Sequence, residues 1–285
     1  MKTYLDCIPC LIKQALRAGR QTGADEKTLK KLLDETGEFI KHIPLENTPV
    51  ETAADIYRIV REVTGIKDPY RKIKNENILQ AKELLPELEK TISQAKDPLL
   101  CAIRISIAGN VIDLGVDKKF NIKKDLEKIL YQDFGVFDYE SFKIKLNNSK
   151  SILFIGDNCG ETVFDTLLIK QLKKKVYYAV RGTPVINDVT YDDAISSGLD
   201  KVSEIVSSGV DSPGAVLSKS NNEFKSLFNN SDLVISKGQG NYEGLSLEKR
   251  DVFFLLKAKC NVIAKDIGVK EDEIILKGIN TEAQV

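Results

Sequence analysis

Three short segments carry residues whose types and spacing could do chemistry. Gly156-Asp157-Asn158-Cys159-Gly160-Glu161 sets two adjacent oxygen donors among glycines with a further carboxylate. Arg181-Gly182-Thr183-Pro184 is followed shortly by Asn187-Asp188, and Ser236-Lys237-Gly238-Gln239-Gly240-Asn241 places a cation among glycines. The carboxylates of Asp157 and Asp188 and the amide oxygen of Asn158 are hard ligands. They suit Mg²⁺ or Mn²⁺, are compatible with Co²⁺ or Ni²⁺, and leave positions for water and phosphate. Arg181 and Lys237 could neutralise phosphate oxygens. Gly160, Gly238 and Gly240 let backbone N–H groups approach an anion, and a helix starting near Glu161 would aim its N-terminus there. Each residue also has a plain reading. Asp and Asn after a strand serve as turn residues or caps, Asp188 serves equally as an N-cap, and Lys237 before Gly as a solvated loop residue. The spacing acquires meaning only if the three loops meet.

The elements that must bring them together differ along the chain. Over roughly the first 95 residues, apolar positions recur at helical spacing: Leu11, Ile12, Ala15 and Leu16 in 9–20, Leu29, Leu32, Leu33, Phe39 and Ile40 in 25–42. Thr48 can cap a third helix with Pro49 at its first position, ended by Thr64-Gly65, and a fourth covers about 70–93. Short connections make these a helical bundle domain, 1–95. From 96 to 285 the texture changes. A helix around Leu100–Ile107 leads into AGNVIDLG and a polar, linker-like helix to about 130, and then strand and helix alternate. Apolar strands are expected at 151–157, 176–182, 204–209 and 232–240, with helices at 161–174, 187–198 and 223–230 between and after them. The stretch 249–259 reads as amphipathic or strand-like. This is the pattern of a mainly parallel sheet covered on both faces, a three-layer α/β/α domain. In such sheets ligands gather at the carboxyl ends of the strands, where all three segments fall.

Composition narrows the classes. Forty-two basic and 42 acidic residues give a formal net charge of +0, which argues against a nucleic-acid partner. No apolar run is long enough to span a bilayer, and the N-terminus MKTYLDCIPC is not a secretory signal, so no membrane role and a cytoplasmic location are expected. The five cysteines, Cys7, Cys10, Cys101, Cys159 and Cys260, are then mostly thiols. A single histidine, His42, excludes a multi-histidine zinc site and reads as a helix-end residue. Cys7 and Cys10 form a CxxC with no strand before it, unlike a thioredoxin-type pair, and structural and ligand roles stay equally open.

The ordered motifs DCIPC, AGNVID (108–113), GDNCGE (156–161), RGTPVINDVT (181–190), SKGQGNYE (236–243) and LLKAKC (255–260) span nearly the whole chain. With them the sequence resembles the damage-control phosphatase family, long catalogued as a domain of unknown function, and the CxxC resembles the mark of its archaeal and bacterial subfamily. The resemblance implies a helical domain beside an α/β/α domain, and metal-dependent hydrolysis of phosphate monoesters such as sugar phosphates or damaged phosphometabolites. By motif, Asp157, Asn158 and Asp188 match metal ligands for Mn²⁺ or Ni²⁺ first, then Co²⁺ or Mg²⁺. Lys237 matches a phosphate-contacting, catalytic position, with Asp157 either metal ligand or nucleophile. Asn110, Glu161, Arg181 and Lys259 fall in family motifs as substrate-side residues. The partner implied is a small phosphorylated metabolite. Two alternatives remain: an S-adenosylmethionine-dependent carboxyl methyltransferase, described for a eukaryotic branch, although no loop for that cofactor is readable, and a non-catalytic phosphometabolite-binding protein.

Overall fold

Strands rich in Ile, Val, Leu and Phe with no polar face must be covered on both sides. A computed structural model describes residues 1–109 and 128–281 of the chain and shows that arrangement. Seven strands among these residues form one sheet: β1 (Phe134–Phe137), β2 (Ser151–Ile155), β3 (Lys175–Val180), β4 (Glu204–Ser207), β5 (Leu233–Lys237), β6 (Val252–Lys257) and β7 (Ile274–Ile279), in the order β1-β7-β6-β5-β2-β3-β4. All neighbours are parallel except β6 and β7. Side chains alternate between two cores. Ile152, Phe154, Leu233, Ile235, Phe253 and Leu255 enter one, while Leu153, Ile155, Val234, Phe254 and Leu256 enter the other. The fold class expected from the strand–helix alternation is therefore the one observed, a mainly parallel α/β sheet between helical layers.

The N-terminal helices are α1 (Cys7–Gln21), α2 (Glu26–Ile40), α3 (Pro49–Thr64), α4 (Arg71–Gln94) and α5 (Pro98–Gly109). Thr48 and Glu51 form a capping box on α3, and Gly65 ends it in the left-handed conformation. A third core joins α1, α2 and α3 through Leu11, Ala15, Leu32, Ile56 and Val60. The fourth helix divides its packing: Ile73 leans on the bundle, but Ile78, Ala81, Leu88 and Ile92 join the sandwich core with Ile103, Ile107 and Leu168. In the α/β part follow α6 (Tyr139–Asn148), α7 (Cys159–Leu172), α8 (Tyr191–Ser197), α9 (Asn222–Asn230), α10 (Gly238–Leu245) and α11 (Asn261–Ile267). Strands β1 and β7 and helix α6 add to the sequence reading, and the glycine-rich exit of β5 is itself the first turn of α10. The polar helix expected between 110 and 130 lies largely outside the described residues. Among those described, no helix is long and apolar enough to cross a membrane.

Candidate functional site

Asp157 stands one glycine beyond the end of β2, and the adjacent strand β5 ends at Lys237. The chain leaves β2 toward β3 on one side and later returns to β5 on the other, so a crevice opens between them at the carboxyl ends. The loop after β3 closes one flank. Its Asp188 pairs with Asn158 in an antiparallel bridge. Around that bridge the Cys159 amide donates to Asn187 O at 2.9 Å and the Val189 amide to Asp157 O at 2.9 Å. Ile186 sits at φ +45°, a strained conformation for a β-branched residue. It lies at the point where Val185 and Ile186 pack on the bundle core and the next two residues turn back to the sheet.

Two linked clusters of charge result. In the upper one Arg181, 1% exposed, donates from Nε to Asp188 Oδ2 at 2.6 Å, and its Nη2 stands 3.7 Å from Asp157 Oδ1. Both Nη atoms are buried with no hydrogen-bond acceptor among the described residues. In the lower one Lys237 Nζ donates to Glu161 Oε2 (2.8 Å), Asp165 Oδ1 (2.9 Å) and Ser106 O (3.0 Å). Asp165 also accepts from Ser106 Oγ at 2.6 Å and Tyr178 OH at 2.8 Å. Asn158 joins the two, its Nδ2 donating to Glu161 Oε1 at 2.6 Å and Asp157 Oδ2 at 3.2 Å.

Burial dominates the electrostatics. It pushes the Asp157 carboxyl up to about 6, with the Asp188 charge adding and Arg181 opposing. It raises Asp188 against the pull of Arg181, and Glu161 to about 7 against the pull of Lys237. Burial also disfavours the Lys237 charge, but Asp165 and Glu161 outweigh it and hold the ammonium above its ordinary range. Four buried carboxylates (Asp157, Glu161, Asp165, Asp188) thus face two buried cations (Arg181, Lys237). With all four ionised, they would carry two negative charges more than these two cations balance, which is the form that burial disfavours until a further cation arrives. Among the described residues no three His, Cys, Asp or Glu side chains surround a common metal position. The donor set here is different: two carboxylates and one amide, whose carbonyl oxygen lies opposite the Nδ2 that faces the acids. Hard oxygen donors with a local deficit of positive charge fit a divalent cation such as Mg²⁺ or Mn²⁺.

One cavity of about 690 Å³ is lined by Asp157, Asn158, Asp188 and Lys259, together with Gln239, Glu243 and a face of α1. The structure therefore brings the three expected metal ligands and Lys259 together. Arg181, Glu161 and Lys237 sit behind that wall rather than on it, all at or below 1% exposure. All three protons of Lys237 are already donated to protein acceptors. Asn110 lies outside the described residues. A larger hollow of about 1090 Å³ sits among Lys145, Asp232 and Arg250, at the opposite ends of the strands, and contains none of these groups.

Some supporting residues are invisible without the fold. Asp165 and Tyr178 lie on α7 and β3 as apparent core or surface positions. Lys74 of α4, 1% exposed, donates to Asp193 at 2.8 Å and forms an ion pair with Asp68 at 2.9 Å. Asp193 in turn caps Thr190, two residues after Asp188. Glu243 was within reach, as it stands in the SKGQGNYE motif, and burial raises its carboxyl to about 7.

Residues 3–275 match the family described as the damage-control phosphatase ARMT1-like domain. The chain belongs to that family. It is 32% identical to an uncharacterized protein of Methanocaldococcus jannaschii over 97% of this chain and 96% of that one. It is 30% identical to a protein of Archaeoglobus fulgidus named damage-control phosphatase, over 97% of this chain and 99% of the relative. Among solved structures it resembles a DUF89 family protein of Pyrococcus horikoshii, with a TM-score of 0.85 and 29% identity over 97% and 98% of the two chains.

Proposed function

We propose that this chain is a phosphatase that hydrolyses phosphate monoesters of small metabolites, sugar phosphates or damaged phosphometabolites, and depends on a divalent cation. The observation that carries the reading is the meeting of Asp157, Asn158 and Asp188 at one rim, in a buried cluster short of positive charge. The names of the relatives agree with it. A cavity of about 690 Å³ suits a small phosphorylated metabolite.

Asp157, Asn158 and Asp188 would hold the cation, with Mn²⁺ or Ni²⁺ ahead of Co²⁺ or Mg²⁺. Bound there, it would supply Lewis-acid polarisation of a phosphoryl oxygen. The chain's own groups do the rest. Lys259, exposed at the rim and close enough to lower the Asp157 carboxyl, draws the phosphate dianion in. The amides of Gln239 and Gly240 open α10 at the same wall, where a helix N-terminus favours an anion. Arg181 fixes the orientation of Asp188, and Lys237 fixes Glu161, which in turn holds Asn158. We assign Lys237 to this electrostatic support, with its phosphate contact requiring one of the three present bonds to open. Phosphoryl transfer needs mainly such positioning and charge stabilisation.

The test is a screen of Mn²⁺, Ni²⁺, Co²⁺ and Mg²⁺ against a panel of phosphate monoesters. Turnover with at least one cation, absent in Asp157→Ala, is expected. Hydrolysis no greater than that of Asp157→Ala under every cation overturns the reading. Acid quench during a single turnover then assigns the nucleophile, since phosphate held covalently on Asp157 excludes direct attack by water on the substrate phosphorus.

A further inference from the structure

The CxxC pair takes no part in the chemistry above, yet the fold carries it to the same cavity. Cys7 and Cys10 are the first and fourth residues of α1, and both line the wall that faces Asp157 and Asp188. Cys260, 250 residues after Cys10 in sequence, lines it as well. The other two cysteines are elsewhere: Cys101 is in the sandwich core, and Cys159 is fully buried with its thiol on Asp188 O at 3.4 Å. Cys10 is exposed and Cys7 half-buried.

We infer that Cys7 and Cys10 form a reversible thiol–disulfide site on the wall of the substrate cavity, oxidised by low-molecular-weight disulfides. The spacing and the state of the helix end both allow it. Residues i and i+3 of a helix hold their Cβ atoms about 5–6 Å apart, and a disulfide needs about 3.5–4.5 Å. The required closure is therefore about 1–2 Å within one turn. That turn is the easiest part of α1 to move. The first four amides of a helix have no intrahelical acceptor, Pro9 has no amide hydrogen, and Asp6 makes no side-chain cap. The amides of Cys7 and Ile8 reach only back to Tyr4 O and Leu5 O.

Access sets the order of steps. The Cys10 thiolate attacks the external disulfide RSSR, forming Cys10–S–SR and releasing RS⁻. The Cys7 thiolate then displaces the second RS⁻, leaving the Cys7–Cys10 disulfide. Two protein thiols are oxidised, one RSSR is reduced to two RSH, and the thiol protons end on the leaving groups. The consequence reaches the cavity through Gln14. In the reduced protein Gln14 Nε2 donates to Cys10 Sγ at 3.3 Å, and Tyr57 OH donates to Gln14 Oε1 at 3.2 Å. Drawing Cys10 toward Cys7 removes that acceptor and frees the Gln14 amide, which lines the wall opposite the carboxylates. The metal ligands themselves are untouched, so the link changes how substrate is held rather than how it reacts.

The effect on turnover rests on the phosphatase reading, but the disulfide does not. The full-length protein is incubated with oxidised glutathione, and intact mass and non-reducing peptide maps are recorded. The expected result is loss of two hydrogens, located to Cys7–Cys10 and restored by dithiothreitol. Cys7→Ser is expected to stop at a stable glutathione adduct on Cys10, and Cys10→Ser to react slowly and form no internal link. Absence of a link, or a Cys7–Cys260 link in its place, overturns the assignment. With an active substrate, oxidation is expected to raise KM about fivefold or more and leave kcat within about twofold, the signature of lost uniform binding. Equal KM in the two redox states overturns the coupling to the cavity. A protein with no phosphatase turnover still answers the mass measurement.

Discussion

Gly238 is the position where the smallest perturbation should separate folding from metal binding. Its backbone lies at φ +76°, and an alanine there costs about 1–2 kcal/mol for the left-handed conformation alone. The added Cβ would stand 1.8 Å from Asp157 Oδ2 and 2.3 Å from its Cγ, far inside the contact distance of about 3.5–4.0 Å. The backbone of β5 is fixed by β2 and β6, so the carboxylate must swing. It would leave the Asn158 amide at 3.2 Å and the Arg181 guanidinium at 3.7 Å. Gly198 provides the control: φ +87° with nothing within 4 Å of an added Cβ. Gly198→Ala carries the backbone strain without the collision. Both variants should lose about 1–2 kcal/mol to the backbone strain, or about 2–4 °C in Tm per kcal/mol, and Gly238→Ala should lose more because Asp157 is displaced as well. Only Gly238→Ala should weaken Mn²⁺ binding, by about 10–100-fold, as expected when the support of a metal ligand is lost. Calorimetric Mn²⁺ titration of the two purified variants measures the difference. If Gly238→Ala binds Mn²⁺ within about twofold of Gly198→Ala, Asp157 is not where the cation is held.

The Asp157 carboxyl, held up to about 6 by burial, links cation binding to pH. Its folded pKa is raised, so its contribution to metal-free stability is present at low pH and is lost as pH rises through about 6. A cation needs the ionised form, so the rise in Tm caused by Mn²⁺ over EDTA should be larger at pH 7.5 than at pH 5.0. An equal rise at both values would contradict the assignment. For Lys237→Met, removal of the only buried cation on Glu161 and Asp165 among the described residues should cost about 3–5 kcal/mol in urea unfolding. Unchanged stability with loss of turnover alone would instead make Lys237 a phosphate contact and sink the support role.

Much of this protein is set by local sequence. Helices α1 to α3 follow from apolar periodicity, and the α3 boundaries from Thr48, Pro49 and Gly65, because caps and left-handed turns are decided by a few neighbouring residues. Strands β2, β3 and β5 follow from unbroken apolar runs. Asp157, Asn158 and Asp188 were legible as donors, and their placement after strands made one rim the natural expectation. What local chemistry could not decide was whether they meet, since each reads equally as a cap or a turn residue in sequence, and the β2–β5 crevice and the Asn158–Asp188 bridge bring them together. The tertiary structure alone settled the surroundings. It put Lys237 behind the wall on Glu161 and Asp165, because a lysine beside glycines looks solvated until two buried acids close on it. It added β1 and the antiparallel β7, whose pairing depends on partners far along the chain. It also turned the Cys7, Cys10 and Gln14 side of α1 toward the cavity that Asp157 and Asp188 line, a face that in sequence is indistinguishable from one exposed to water.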